Sequence, residues 1–377
     1  MLHPRRIYFD NAAACQTDPH ILGHYYAYAS RFYANQEAAH NLAYNIRLKI
    51  DETAAELSQT LCNEKTYVHW GYSGTDLFNL FSGFKGFQKL KIITSPFEHP
   101  ALNSALKRTG AEIQIVKLKN GQIDLEHFES IIDNETIMTS ICQVQSETGL
   151  INDLCAIGKI IKKKAPQCIF MSDTIQSAGK INIPWKEAKL DIISLSGHKI
   201  GAPGGAALLI NPLLEGFTSY LTQCRKEFYT AGRPEPASIF ALNWGITLKS
   251  KDQIKNLFEI RKINDIIREK LPTLKLFNNK KITVTIDKEK ASPYILHFIV
   301  PGYQSGVLVR MLSQQNVFFS AGSACQSETN KPSAALSAMG FSKDDAFAGI
   351  RLSFSPANTI SEAERFIEIF QKTLLEY

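Results

Sequence analysis

The sequence predicts an α/β protein, with a large domain built on a mainly parallel sheet flanked by helices and a smaller α+β domain after it. Between about residues 60 and 210, short apolar runs alternate with longer amphipathic ones, which is typical of β-α-β units. After about residue 245 the pattern changes to a long helix followed by mixed elements. The 377 residues, 44% of them apolar, can form two or three domains that need no disulfide bond or bound metal ion for stability.

The elements of the large domain follow from the spacing of apolar residues. Short apolar runs predict strands at Lys91–Thr94, Glu112–Val116, Thr136–Gln143, Cys168–Met171, Ile192–Leu195 and Ala206–Ile210. Amphipathic stretches between them predict helices at Asp76–Phe84, Pro100–Arg108, Leu125–Ile132 and Leu154–Lys164. Because strands and helices alternate, most strands should run parallel to one another.

The smaller domain is predicted from the last third of the chain. Apolar residues at helical spacing predict a long helix over Lys251–Lys270. Strands are predicted at Lys281–Ile286, Tyr294–Val300 and Val317–Phe319, with a helix over Ser305–Gln314. A last helix should begin at Thr359 or Ser361, since each has a Glu three residues later. We place the large domain at 16–245 and assign 1–15 with 246–377 to the small one.

Charge and cysteine content exclude several classes of protein. The net charge of +6, from 42 Lys and Arg against 36 Asp and Glu, is too small to indicate direct nucleic-acid binding. The seven cysteines include no C-x-x-C pair and no cluster at zinc spacing, so we expect neither a disulfide framework nor a metal site. No signal peptide or membrane-spanning apolar run is evident, and the expected location is the cytoplasm.

Two consecutive predicted strands end in residues that carry chemistry. One strand ends at Asp173, which is followed by Thr-Ile-Gln176, and the next leads into Ser196, His198 and Lys199 before a glycine-rich turn. Ligands of open α/β sheets bind at such strand ends. Pyridoxal phosphate needs this pair, a lysine for its aldehyde and a carboxylate for its pyridine nitrogen. The structural alternatives are an exposed loop lysine and a helix N-cap.

Two upstream segments could complete a cofactor site. Ser73-Gly74-Thr75-Asp76 opens a helix, whose N–H groups and Thr75 hydroxyl could bind a phosphate, although Ser73 could also be a plain N-cap. His99 follows the strand that ends at Thr94, where its ring could stack on the pyridine and move protons. A purely structural histidine is the alternative.

Two further segments lie in the predicted small domain. Residues 318–325 run from a strand into a small-residue loop that ends in Cys325, where the polar neighbours favour a nucleophile over a buried apolar thiol. Arg351 lies on an alternating strand, where it could bind a carboxylate with two hydrogen bonds or form a surface ion pair.

Taken together, these motifs resemble the cysteine desulfurases, which are pyridoxal phosphate enzymes of the class V aminotransferase group. The matching segments span nearly the whole chain: Tyr8-Phe9-Asp10-Asn11-Ala12-Ala13, Ser73-Gly74-Thr75-Asp76, Glu98-His99, Asp173-Thr174-Ile175-Gln176, Ser196-Gly197-His198-Lys199, Gly322-Ser323-Ala324-Cys325 and Arg351. The resemblance implies the fold of the fold-type I transferases, in which the large sheet is mixed but mainly parallel.

The resemblance also implies a role for each matching residue. Lys199 would carry the cofactor, His99 would stack on its ring, and Cys325 would take the sulfur of L-cysteine as a persulfide, leaving L-alanine. The remaining cofactor contacts would come from Gly74, Thr75, Asp173, Gln176, Ser196, His198 and Arg233, and the substrate contacts from Arg351, Ser146 and Asn35. A homodimer and a sulfur-acceptor protein, such as an iron–sulfur scaffold or a tRNA-thiolation protein, are the implied partners. No metal, membrane or direct nucleic-acid contact is implied.

The chain departs from the family pattern at three places. Gln145-Ser146-Glu147 stands where Asn-Asn-Glu is usual, so Ser146 or a displaced Gln145 would lie beside the substrate carboxylate. Arg233 replaces a threonine that reaches the partner subunit's phosphate, and Asn35-Gln36 stands where Asn-Pro is common. The alternatives are therefore another enzyme of this group (a selenocysteine lyase, an aminotransferase or a lyase) and a non-catalytic descendant that binds partners.

Overall fold

The computed structural model of the chain describes residues 6–83, 90–228, 235–322 and 332–377. The strands, in chain order, are β1 (Ile7–Tyr8), β2 (Tyr67–Gly71), β3 (Lys91–Thr94), β4 (Glu112–Ile115), β5 (Leu118–Lys119), β6 (Gln122–Ile123), β7 (Thr136–Ser140), β8 (Ile169–Asp173), β9 (Ile192–Ser196), β10 (Ala206–Ile210), β11 (Thr283–Val284), β12 (Ile295–Ile299), β13 (Val317–Phe318), β14 (Ser320–Ala321) and β15 (Gly349–Ser353). The helices are α1 (Pro19–Arg31), α2 (Asn41–Cys62), α3 (Gly74–Asn79), α4 (Pro100–Arg108), α5 (Leu125–Ile131), α6 (Leu154–Lys164), α7 (Glu215–Phe228), α8 (Pro236–Lys251), α9 (Gln253–Lys270), α10 (Ser305–Ser313), α11 (Ala334–Ala338), α12 (Lys343–Phe347) and α13 (Ile360–Glu376).

The large sheet has the strand order β2-β10-β9-β8-β7-β3-β4. Strands β9, β8, β7, β3 and β4 run parallel, whereas β10 is antiparallel to both of its neighbours, β9 and β2. Helices connect the parallel strands, and the apolar side chains of the sheet are buried against them. The predicted α/β fold with a mixed, mainly parallel sheet is confirmed.

A second sheet, of order β11-β12-β15-β14, is antiparallel throughout. Beside it, β1 pairs in parallel with β13, with Ile7 opposite Val317. Phe9 on this N-terminal segment is fully buried and contacts the rings of Phe354 and Phe366. Burying such a ring contributes about 2 to 3 kcal/mol. Ile7 and Phe9 are therefore packed into a core made by residues from Ile260 to Leu374.

The apolar residues divide between two main cores. One contains residues from Ile21 to Ile246 in the chain, and the other combines Ile7 and Phe9 with residues from Ile260 to Leu374. This division suits the proposed domains 16–245 and 1–15 with 246–377, and we retain those boundaries as a proposal.

The helix predicted over Lys251–Lys270 begins later than expected, because two helices meet there. Asp252, with φ −95° and ψ 11°, separates α8 from α9. Both helices are continuous on either side of this single residue. The final helix begins at Thr359, whose side chain and that of Glu362 form the predicted capping box.

Candidate active site

A cavity of about 350 Å³ opens where the parallel strands of the large sheet end and the small sheet approaches them. Its walls include ten of the predicted site residues, namely Gly74, Thr75, His99, Ser146, Asp173, Gln176, Ser196, His198, Lys199 and Arg351. Asn35 is not among them, since it lies in an exposed turn between α1 and α2 and accepts a hydrogen bond from the Glu37 N–H. Cys325 and Arg233 lie outside the described residues, and their roles stay predictions.

Lys199 is presented by a tight turn after β9. A methyl group on Gly197 would lie 2.0 Å from the Gly204 carbonyl oxygen, so only glycine allows the two backbone segments to approach this closely. Lys199 Nζ donates to the Ala13 carbonyl at 2.5 Å, which joins the N-terminal segment to the site. The two flanking side chains also meet, with 3.0 Å between Ser196 Oγ and His198 Nδ1. Burial, together with the charge on Lys199, lowers the pKa of His198 to about 4.

Asp173 and His99 lie in the same cavity and influence each other. Asp173 Oδ1 accepts hydrogen bonds from the Ile175 N–H at 3.0 Å and from Ser194 Oγ at 2.7 Å, and burial raises the pKa of this carboxyl. His99 caps α4, with Nδ1 accepting from the Ala101 N–H at 3.2 Å. Burial lowers the pKa of His99, although the negative charge of Asp173 acts to raise it. His99 is therefore neutral near pH 7, with its proton on Nε2.

Glu98 is a buried acid in the motif Glu98-His99, and no role was predicted for it from the sequence. Its Oε1 accepts from Ser95 Oγ and from the Cys142 N–H, each at 2.7 Å. Burial raises the pKa of Glu98 to about 8 despite these two hydrogen bonds, with a further rise from Asp173. Glu98 is consequently neutral near pH 7, which leaves Asp173 without a second negative charge beside it.

The N-terminus of α3 forms the opposite wall of the cavity. Ser73 Oγ accepts from the Asp76 N–H at 3.1 Å, and Gly74 and Thr75 begin the helix beside it. A methyl group on Gly74 would lie 2.6 Å from Ile175 Cδ1, so a side chain at this position would collide with the segment after Asp173. The site therefore combines a helix N-terminus suited to an anion with a lysine and a buried acid, and these residues fit pyridoxal phosphate.

Gln176 lines the cavity but already has partners in the protein. Its Nε2 donates to the Ala12 carbonyl at 3.0 Å, and its Oε1 accepts from Lys180 Nζ at 3.3 Å. The resemblance implies that Gln176 contacts the cofactor. That contact stays a prediction.

Arg351 occupies the end of the cavity nearest the small sheet. Its Nη1 donates to the Ser146 carbonyl at 3.0 Å, and its Nη2 donates to Asp10 Oδ1 and to Ser320 Oγ, each at 2.9 Å. The sequence analysis quoted Asp10 within a motif but missed its pairing with Arg351, and it did not single out Ser320. The closeness of these residues depends on pairing between distant strands, which local patterns do not encode.

Of the two residues that could lie beside the substrate carboxylate, Ser146 lines the cavity, and its contact with the substrate stays a prediction. Gln145 Oε1 accepts from the backbone N–H groups of Glu147 at 2.8 Å and Thr148 at 2.6 Å, so its amide shapes the turn. Ser146 lines the cavity and supplies the carbonyl that Arg351 contacts.

Among the described residues, no cluster of three or more His, Cys, Asp or Glu side chains is arranged to hold a metal ion. A separate survey of the described helices finds no segment with the length and hydropathy needed to cross a membrane.

Known proteins resemble the chain over nearly its whole length. A Bacillus subtilis (strain 168) relative whose name assigns it to the cysteine desulfurases (IscS 1) is 27% identical over 375 residues, covering 95% of this chain and 96% of the relative. The cysteine desulfurase IscS of Vibrio cholerae serotype O1 (strain M66-2) is 25% identical over 379 residues, covering 97% and 92%. These relatives confirm the resemblance to the cysteine desulfurases that the motifs indicate.

Solved structures share the fold. A NifS-like protein superposes with a TM-score of 0.85 at 21% identity, covering 99% of this chain and 100% of that structure. The apo structure of a cysteine desulfurase from Thermococcus onnurineus NA1 gives a TM-score of 0.81 at 20% identity, covering 99% and 95%. These superpositions confirm the expected fold-type I architecture. The family model of the class V aminotransferases matches residues 7–366, and the chain therefore belongs to the aminotransferase class-V family.

Proposed function

We propose that this chain is a pyridoxal phosphate-dependent cysteine desulfurase, which converts L-cysteine to L-alanine and holds the sulfur as a persulfide on Cys325. The observation that carries the proposal is the meeting of Lys199, Asp173 and Arg351 in one cavity from three separate strands. The names of the relatives agree with this activity, and one neighbouring structure is of SspA in complex with cysteine.

Enzymes of the class V group use pyridoxal phosphate in general, and we propose that this chain does so. Lys199 would hold its aldehyde, Asp173 its pyridine nitrogen, and the N-terminus of α3 its phosphate. The group supplies an electron-withdrawing ring when bound. Lys199 would move a proton at the substrate Cα, and His99, which lines the same cavity, holds a proton on Nε2.

The substrate would bind by its carboxylate to Arg351, whose positive charge lies at the end of the cavity. The thiolate of Cys325 would attack the substrate sulfur, so that an S–S bond forms and the Cβ–S bond breaks. The electron pair left on carbon takes a proton and gives alanine. The step balances without an added oxidant, because the substrate Cβ is reduced from a C–S bond to a C–H bond while its sulfur is oxidised to the outer sulfur of a persulfide, which a partner protein can accept.

The protein is proposed to act as a homodimer in the cytoplasm, where thiols stay reduced. Large exposed apolar side chains lie on α1, on α2 and in the turn between them, namely Tyr26, Tyr33, Leu42, Tyr44 and Leu48, and we call this surface the α1–α2 patch. Such patches mark interaction surfaces. The resemblance would place Arg233 of one subunit near the partner's phosphate. The acceptor for sulfur is proposed to be a protein, either an iron–sulfur scaffold or a tRNA-thiolation protein.

The decisive experiment is to measure alanine and sulfide production from a panel of amino acids by the purified protein with its cofactor, in the presence of a thiol reductant that releases the persulfide sulfur as sulfide. We expect cysteine to be the preferred substrate. Cys325→Ala should keep the visible absorption of the bound cofactor but lower sulfide release by about 100-fold or more, because no thiolate remains to take the sulfur. The matched control is Cys15→Ala, which removes another cysteine near the site and should leave the rate within about twofold.

Three results would contradict the proposal. Transamination of the panel without sulfide would identify an aminotransferase, and wild-type sulfide release by Cys325→Ala would remove the assigned nucleophile. Borohydride reduction followed by peptide mapping should find the cofactor on Lys199, and its recovery on another lysine would overturn that assignment.

A further inference from the structure

Glu147 and His297 form a buried polar pair next to Arg351, and the reaction described above does not use them. The Glu147 side chain is 13% exposed and that of His297 is 0% exposed, with Glu147 Oε1 3.9 Å from His297 Nε2. Neither of these two atoms has a hydrogen-bond partner among the described residues. Two buried polar atoms without partners normally cost stability, so their position next to the substrate arginine calls for a functional explanation.

Glu147 contacts the chain on both sides of segment 323–331, which carries Cys325. On the C-terminal side, Ser333 Oγ donates to Glu147 Oε2 at 2.5 Å and accepts from the Leu336 N–H, so the same hydroxyl caps α11. On the N-terminal side, a methyl group on Gly322 would lie 2.8 Å from Glu147 Oε1 and 2.8 Å from His297 Nε2. Glu147 therefore accepts a hydrogen bond on one side of this segment and lies close to Gly322 on the other.

The pair can gain or lose a proton without leaving a buried atom unsatisfied. Thr285 Oγ1 lies 3.1 Å from His297 Nδ1 and 3.2 Å from the His297 carbonyl. When Thr285 donates to the carbonyl, Nδ1 carries the ring proton, and Nε2 can accept from protonated Glu147. When Thr285 donates to Nδ1, Nε2 carries the proton and can donate to ionised Glu147. Either hydrogen bond requires Oε1 and Nε2 to approach by about 1 Å.

The surroundings decide which group titrates. Three side chains of the described residues face Glu147, namely His297 on β12, Arg351 on β15 and Ser333 at the start of α11. Asp10 lies on the other side of Arg351, as its ion-pair partner. Burial and the charge on Arg351 lower the pKa of His297 to about 3, so this ring stays neutral. Burial raises the pKa of Glu147 to about 7, although Ser333 and Arg351 oppose the rise. Glu147 is thus the member that changes charge near neutral pH.

We infer that Glu147 is a positioning residue for sulfur transfer, which holds Ser333 by a hydrogen bond and lies against Gly322, and that the hold on Ser333 is firmer when Glu147 is ionised. A hydrogen bond to a carboxylate is roughly twice as strong as one to a neutral acceptor. The inference rests on the proposed function, since it assigns Glu147 to the step in which Cys325 acts. Arg351 hydrogen-bonds to Ser146, Asp10 and Ser320, so the contact of Glu147 with Ser333 and the binding of cysteine should be separable.

The test compares four variants of the holoenzyme by initial-rate kinetics of alanine formation from cysteine. Glu147→Ala should lower kcat at least tenfold and leave KM within about threefold, and Ser333→Ala should do the same. The double variant should be no slower than the slower single variant, because both remove one contact. Glu147→Gln keeps an acceptor for Ser333 but cannot ionise, so the ratio of wild-type to Gln rates should increase by threefold or more from about pH 6 to about pH 8.

A second readout does not depend on activity. Hydrogen exchange at residues 333–338 should be faster in Glu147→Ala than in the wild type, and the Gln variant should match the wild type at about pH 6 but exchange faster at about pH 8. If the wild type makes no alanine from cysteine while this exchange pattern holds, the proposed function fails and the hold by Glu147 stands. Three outcomes would overturn the inference. The wild type and Glu147→Gln could show the same pH dependence in both readouts, the losses could add in the double variant, or the change could be confined to KM.

Discussion

Asp10 places a negative charge against the arginine that is proposed to bind the substrate carboxylate. Arg351 Nη2 donates to Asp10 Oδ1, and Ser320 Oγ donates to the same oxygen at 2.6 Å. An asparagine could accept both hydrogen bonds without carrying a charge. We therefore expect Asp10→Asn to lower KM for cysteine by about threefold or more, with kcat within about twofold, because less of the Arg351 charge is neutralised. Steady-state kinetics of alanine formation measure both constants.

The control for this prediction is Asp10→Ala, which removes the two hydrogen bonds as well as the charge. KM should then increase, since Arg351 loses a positioning contact. The advantage of the Asn variant should shrink as salt is added, because ions screen the attraction for the substrate. An increase in KM for Asp10→Asn, as large as that for Asp10→Ala, would show that Asp10 only positions the arginine.

At the residue scale, the sequence could predict those site residues that directly follow a strand. Lys199, Asp173 and His99 each stand just beyond an apolar run, and all three line the cavity. Asp10 and Ser320 could not be assigned in the same way, because they meet Arg351 across separations of 341 and 31 residues. His297 was missed for a related reason, since its position in an apolar strand gives no sign of the glutamate opposite.

The start of α3 is the element whose geometry most directly limits cofactor binding. Gly74→Ala would introduce a methyl group 2.6 Å from Ile175 Cδ1, so the end of the Ile175 side chain, which lines the cavity, must shift. We expect the affinity for pyridoxal phosphate to fall by about threefold or more, because the methyl group and the displaced side chain take up space beside the N–H groups that would bind the phosphate. Titration of the apoprotein with the cofactor, followed by absorbance, measures this change.

Gly23 on α1 provides the matched control, since a methyl group there would meet nothing within 4 Å. Gly23→Ala should bind the cofactor like the wild type and should be slightly more stable, as alanine favours a helix over glycine. Unchanged cofactor affinity in Gly74→Ala would mean that this turn does not bind the phosphate.

Elements were predictable where one face is apolar and the other polar. Helices α4 and α6 appear with the predicted bounds, because each has an apolar side toward the sheet. Helix α8 was not predicted, since it is buried on most sides and therefore lacks helical periodicity. Strand β2 was also missed, as the edge strand of the sheet alternates weakly and includes the polar residue His69.

On the scale of the whole molecule, the α1–α2 patch should mediate the proposed dimer. Leu48→Asp puts a charge in the patch and should shift the protein from dimer to monomer at micromolar concentration, because burying an unpaired carboxylate is costly. The control is Leu213→Asp, at a residue that is 90% exposed and lies outside the patch, and this variant should stay dimeric. Sedimentation velocity separates the two states. A wild-type monomer that binds the cofactor tightly would contradict the proposed dimer.

The overall architecture was predictable because the alternation of strands and helices in the large domain determines a parallel sheet. The antiparallel placement of β10 was not predicted, although its connection to β9 is too short for the crossover that parallel strands need. The pairing of β1 with β13 was also beyond local patterns, because these two strands are separated by about three hundred residues.

The pairing of β1 with β13 determines when the site can form during synthesis. Strand β1 is made before its partners and can pair only after Val317 has been made. The Phe9 carbonyl likewise accepts from the Ser353 N–H, at 2.7 Å, only after Ser353 has been made. Until then, Asp10 and the Ala13 carbonyl cannot hold Arg351 and Lys199. A nascent chain that has folded its large sheet is thus still without a complete cavity, and a chain truncated before residue 350 cannot build one. Lys199 and Arg351 are therefore brought together in the cavity only after residue 353 has been made.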